Sequence, residues 1–196
     1  MVDVGELIPE LKDYIHQIDA NENAVRSLAG RLCQSQATWR PGPKRWSIVE
    51  CVHHLNCTTT AYLPAIDEAI DQAKEMHWIG SGPFRYGRLG TWFVRAMEPP
   101  PKRRYSTMAV FMSPPDLPFG DIAREFSSCQ ERLRQRVHRS NGLDLARARV
   151  VSPATRVVRF RLGQCFAFLL AHERRHLWQA HRVVETAGFP EGEQEQ

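Results

Sequence analysis

Two histidines four residues apart, His172 and His176, stand near the end of a strongly helical stretch, and that spacing suits a metal ion. An α-helix turns about 100° per residue, so positions i and i+4 lie one turn apart on nearly the same face and can fill two corners of a tetrahedral site. Projection of the surrounding helix places both histidines within the apolar arc drawn by Leu162, Cys165, Phe166, Leu169, Ala180, Val183, Val184 and Ala187. Arg174, Trp178 and His181 fall on the opposite side. Imidazoles aimed into a core are costly unless hydrogen-bonded, paired or coordinating. Glu173 shares the inward arc, and two roles stay open for it: an ion pair with an arginine such as Arg175, or a part beside a metal.

A zinc-type site needs at least a third protein ligand. The chain offers His53 and His54 on an earlier helix. His53 shares a side with Asn56, Thr60, Asp67 and Asp71, which reads as the wet face. His54 lies along Cys51, Thr58, Ala61 and Ala65, a row of small residues where another helix can approach, and is the candidate. Cys51, one turn before His54, is either a further ligand or a small packing residue. Cys165 is two turns from His172, about 10 Å along the axis, which is too far for one ion. Trp46 reads as a staple-like anchor just ahead of the helix.

The run His172-Glu173-Arg174-Arg175-His176 also spells H-E-x-x-H, the zinc-peptidase signature in which the glutamate is a general base. Its context disagrees. The metzincin extension needs a glycine where Gln179 stands and a histidine where Arg182 stands. After the motif only Glu185, Glu191, Glu193 and Glu195 remain as carboxylate ligands, on the same helix or in a short tail. A zinc peptidase therefore stays a remote alternative.

Four long helical segments have to position these groups. The first is expected over about Val4 to Gln34, from Leu7, Leu11, Ile15, Ile18, Val25, Leu28 and Leu32 at three- and four-residue spacings. Pro41, Gly42 and Pro43 then break the pattern. Ser47 with Glu50 forms a capping box, and Ile48, Val52, Leu55, Thr59, Tyr62, Ile66, Ala69 and Ala73 continue as the seam of a bundle helix, with a kink expected at Pro64. A long crossover follows from His77 to about Gly120, with a short helix at Leu89 to Met97. The third long helix is expected over about Asp121 to Arg139 and the fourth over about Leu162 to Ala187, stopped by Gly188 and Pro190. Arg149 to Val151 and Arg156 to Phe160 read as short extended pieces, too little for a sheet that carries a fold. The expected fold is all-α: a four-helix bundle with a long crossover between its second and third helices, in a single domain over residues 1–190 with a polar tail at 191–196.

The 196 residues suffice for one core, and the net charge of +4 is spread among both signs. The densest basic spot, Lys102-Arg103-Arg104, is short, so composition gives no nucleic-acid footprint. Five cysteines without a C-x-x-C pair read as reduced thiols. The N-terminal residues lack a secretory pattern and no stretch reaches a membrane span, so a cytoplasmic protein with no membrane partner is expected.

Trp46-Ser47-Ile48, His54-Leu55 eight residues after the tryptophan, Leu162-Gly163, and the run from His172 to Gln179 together resemble the DinB-like (YfiT-like) superfamily of metal-binding four-helix bundles, from the first helix to Gly188. Met97-Glu98-Pro99-Pro100-Pro101-Lys102-Arg103-Arg104 looks like the crossover of one branch. The resemblance implies His54, His172 and His176 as ligands of a divalent ion, zinc or nickel, and often a homodimer. Relatives of this kind include thiol S-transferases that use bacillithiol or mycothiol, a maleylpyruvate isomerase and domains of thiol-histidine biosynthesis. The residue after the first motif histidine varies among them, so no catalytic role carries over to Glu173. The function implied is a metal-dependent transferase joining a small-molecule electrophile to a low-molecular-weight thiol, or a metal-dependent hydrolase. A non-catalytic metal-binding stress-response protein is the alternative.

Overall fold

The computed structural model describes residues 6–100, 117–155 and 157–192. The expectations placed on Val4, on Pro101 to Arg104, on Arg156 and on the last four residues of the tail lie outside the described residues.

The fold is mainly helical, with elements α1 (Pro9–Ala29), α2 (Gln34–Thr38), α3 (Ile48–Glu75), α4 (Arg88–Met97), α5 (Phe119–Arg139), β1 (Arg149–Val151), β2 (Arg159–Arg161) and α6 (Leu162–Val184). Among these, the long helices α1 and α3 each pack against both α5 and α6. The single first helix expected from periodicity divides in two. Pro9 begins α1, where its missing N–H costs nothing, and Gly30 ends it, so Gln34 to Thr38 form a separate short helix. The two extended pieces pair as an antiparallel ribbon, Val150 opposite Phe160, and both of these residues are buried. This ribbon, with an isolated antiparallel bridge between Ile79 and Leu143, departs from an all-helical fold.

The capping box forms as the sequence dictates. Glu50 N donates to Ser47 Oγ at 3.2 Å, and Ser47 N donates to Glu50 Oε2 at 2.8 Å. Arg40 then clasps the same carboxylate, Nε at 2.8 Å and Nη2 at 2.6 Å, and so ties the preceding loop to the start of α3. From there α3 continues without interruption through Pro64. Every seam residue from Ile48 to Ala73 is buried. Asn56, expected on the wet face, is buried instead: α5 covers it, and its Nδ2 donates to Ile122 O and to Glu125 Oε2.

The apolar interior falls into two clusters. One gathers Ile18, Tyr62, Leu133, Phe166 and Leu169 with the ribbon residues Val150 and Phe160. The other gathers Val25, Leu55, Phe126 and Leu177 with Ala37 of α2. Each long helix places a polar residue between the two: Asn21 on α1, Thr59 on α3, Gln130 on α5 and Glu173 on α6. All four are buried. A polar layer thus crosses the interior, and α6 carries the histidines at the same level.

Candidate metal centre

His54 projects from α3 and His172 and His176 from α6, and one nitrogen of each ring comes within 4.8 Å of the others. Ring centroids lie 5.0 Å apart for His54 and His172, 4.7 Å for His54 and His176, and 4.6 Å for His172 and His176. The helices deliver this convergence simply. One turn of α6 offers the i, i+4 pair, and α3 packs directly on α6 to present His54 across from it.

His54 Nε2 and His172 Nε2 approach to 3.2 Å, where one hydrogen at most can lie between them. His176 Nδ1 is buried without a hydrogen-bond partner. Buried polar atoms ordinarily find one. Burial pushes the His176 imidazole down to about 3, with His54 and the Arg175 guanidinium adding to the effect. Burial likewise holds His172 well below the ordinary histidine range, reinforced by His176, His54 and Arg175. Both rings are therefore neutral in the folded chain, the state in which an imidazole offers a lone pair to a cation. With His54 they bring three imidazole nitrogens together in a group that fits a metal ion.

Aromatic rings wall the group. Trp46 stacks on His176 with centroids 5.5 Å apart and planes at 20°, and meets His54 edge-on at 5.1 Å. Phe168 stacks on His172 at 5.8 Å. Sequence alone assigns Trp46 no more than a packing role. It stands directly before the N-cap and eight residues ahead of His54, about two helical turns, and that spacing was the available signal. The crossover reaches the same turn of α6, where Arg174 Nε donates to Glu98 Oε2 at 3.0 Å and Arg175 Nη1 donates to Ala96 O at 3.4 Å.

The other residues singled out from sequence sit elsewhere. Half-buried His53 lies beside Cys57 Sγ, 3.7 Å from its Nδ1. Cys51 is fully buried among Val49, Val52 and their neighbours, and burial raises its thiol far above the usual range, which favours packing over ligation. Cys165 belongs to the other apolar cluster.

Glu173 is held by three neutral side chains rather than by an ion pair with Arg175. Asn21 Nδ2 donates to its Oε2 at 2.8 Å, Gln130 Nε2 to its Oε1 at 2.9 Å, and Thr59 Oγ1 to Oε1 at 3.4 Å. Burial pushes the carboxyl up to about 7, against the downward pull of those three donors. A carboxylate engaged this way is not presented as the general base that the peptidase reading requires. The sequence did carry a hint of its partners: Asn21 and Gln130 are polar residues at positions that the helical period assigns to the interior.

A family model described as the DinB superfamily matches residues 17–180. No curated protein and no solved structure matched the chain. Among the described residues no helix is long and apolar enough to cross a membrane.

Proposed function

Because the chain belongs to the DinB superfamily, we propose that its ring of long helices is the four-helix bundle of that family and that His54, His172 and His176 hold one divalent cation, zinc or nickel, in a metal-dependent enzyme of small molecules. The reaction we favour is transfer of a low-molecular-weight thiol to an electrophile, with metal-dependent hydrolysis as its close variant. The observation that carries this reading is the convergence of three imidazole nitrogens within 4.8 Å, on rings of which one also holds a buried, unpartnered Nδ1.

Three protein ligands leave at least one coordination position open. A bound cation would supply a Lewis-acid position there that lowers the pKa of a water or thiol toward neutrality. The chain's own part is to keep His172 and His176 neutral through burial, to fix their rings between Trp46 and Phe168, and to bring the crossover residues Ala96 and Glu98 against the ligand-bearing turn. Elemental analysis of the purified full chain tests the site, with one equivalent of metal expected in the wild type and a large loss in His54→Ala. A wild type without bound metal, or equal uptake by His54→Ala, sinks the reading. A panel of electrophiles offered with several cellular thiols then tests the reaction.

One feature supports a second reading, a non-catalytic protein in which the ion braces the helices. The ligands come from both α3 and α6, and His54 and His176 are 6% and 9% exposed, so a cation would tie those helices together. A large rise in melting temperature with metal, together with no metal-dependent turnover across the panel, would favour bracing.

A further inference from the structure

Glu173 stands one residue after one ligand and three before the other, yet its carboxylate turns into the helix contact. There it collects a bond from each of the other three long helices: Asn21 of α1 at 2.8 Å, Gln130 of α5 at 2.9 Å and Thr59 of α3 at 3.4 Å. The apolar clusters on either side hold the helices together, but apolar burial has no preferred direction. Hydrogen bonds do. The polar layer is therefore the part of the interior that fixes how far α6 is rotated about its own axis, and that rotation decides where His172 and His176 aim.

Resting on the metal site proposed above, we propose that Glu173 is a positioning residue: its three cross-helix hydrogen bonds lock the turn of α6 that points His172 and His176 at His54. It acts through geometry and touches neither metal nor substrate. Outer groups that orient metal ligands typically change affinity by about 10- to 100-fold when removed.

Gln130 gives this inference a sharp test. Its Oε1 is buried without a partner while its Nε2 donates to Glu173. In Glu173→Gln, Gln130 can turn its amide over and accept from the new side chain, so the struts survive without the charge. Cobalt(II) titration of the full chain, followed by visible absorption, reads both affinity and ligand arrangement. Glu173→Ala should weaken cobalt(II) binding by about tenfold or more and alter the bands. Glu173→Gln should stay within about threefold of wild type with unchanged bands, and adding Gln130→Ala to it should abolish that rescue. Wild-type bands and affinity in folded Glu173→Ala would reduce the layer to a stabilising role and overturn the proposal. Equal damage in Glu173→Gln and Glu173→Ala would make charge the cause and overturn it too. Should Glu173→Ala not fold, Asn21→Ala and Gln130→Ala decide singly: several-fold weakening with altered bands supports the proposal, and unchanged binding overturns it. A wild type that takes up no cobalt(II) removes the site itself, an outcome distinct from all of these, and this inference falls with it.

Discussion

Within one turn of α6, Glu173 and the two histidines that flank it meet opposite surroundings. The carboxylate is buried and supplied with three donors from three other helices. The imidazoles are turned toward one another, with Nε2 of His172 facing Nε2 of His54 and Nδ1 of His176 buried without a partner. The carboxylate has its partners within the chain, whereas His176 keeps a buried nitrogen with none. Burial alone does not separate a structural polar residue from a ligand, since His54 and His176 are buried in this interior as Glu173 is. What separates them is where their hydrogen bonds go.

The comparison breaks most directly at Glu173. Glu173→Ala strands three buried donors and leaves a void at the crossing of four helices, so the metal-free protein should lose about 3 kcal/mol or more in urea denaturation, since each unsatisfied buried group costs about 1–3 kcal/mol. A loss under about 1 kcal/mol would mean that the donors find other partners and that the layer is not completed by this carboxylate.

The next largest effect should come from the metal side. Metal at about 100 times its dissociation constant should stabilise the wild type by about 2.7 kcal/mol, through binding to the folded state alone. A chelator should remove that gain. His54→Ala should gain little from the same metal, while Cys51→Ala should keep the full increment, since Cys51 packs in the apolar cluster away from the three nitrogens. A Cys51→Ala chain that loses the increment would add the thiol to the site.

Much of the comparison was legible in the sequence, but from one side only. The i, i+4 spacing and the apolar arc of α6 pointed His172 and His176 inward, the Ser47–Glu50 box placed the start of α3, and the faces on either side of its seam separated His54 from His53. These are local signals, written within a few turns of one helix. The partners of Glu173 are not local: Asn21 lies 152 residues away in the chain, Thr59 114 and Gln130 43. Periodicity says that such residues face inward and is silent about which one they meet. The burial of Asn56 was missed for a related reason, because the width of the buried face on α3 depends on where α5 packs. The division of the first helix at Gly30 was available in the sequence, but the regular spacing that continues to Leu32 concealed it.

Single struts should cost less than the whole clamp. Asn21→Ala and Gln130→Ala each remove one bond of under 3 Å from Glu173, and each should destabilise the metal-free protein by about 1–2 kcal/mol. The two should differ in detail. Gln130 already has one amide oxygen without a partner, so its removal also relieves an unsatisfied group, and Asn21→Ala should be the more damaging.

Thr59→Val should have the smallest effect, and it is the most discriminating about what the layer requires. The hydroxyl reaches Glu173 over 3.4 Å, a long bond, while the residue stands in a seam whose other positions are mostly apolar. Valine keeps the branched shape, loses that bond and buries one more apolar group, so the two changes should nearly cancel to within about 0.5 kcal/mol. Cobalt(II) binding should be retained as well, since Asn21 and Gln130 still hold the carboxylate from two sides. If Thr59→Val instead cost as much as Asn21→Ala, the three bonds would be acting as one cooperative network, in which the length of any single bond says little about its share of the stability.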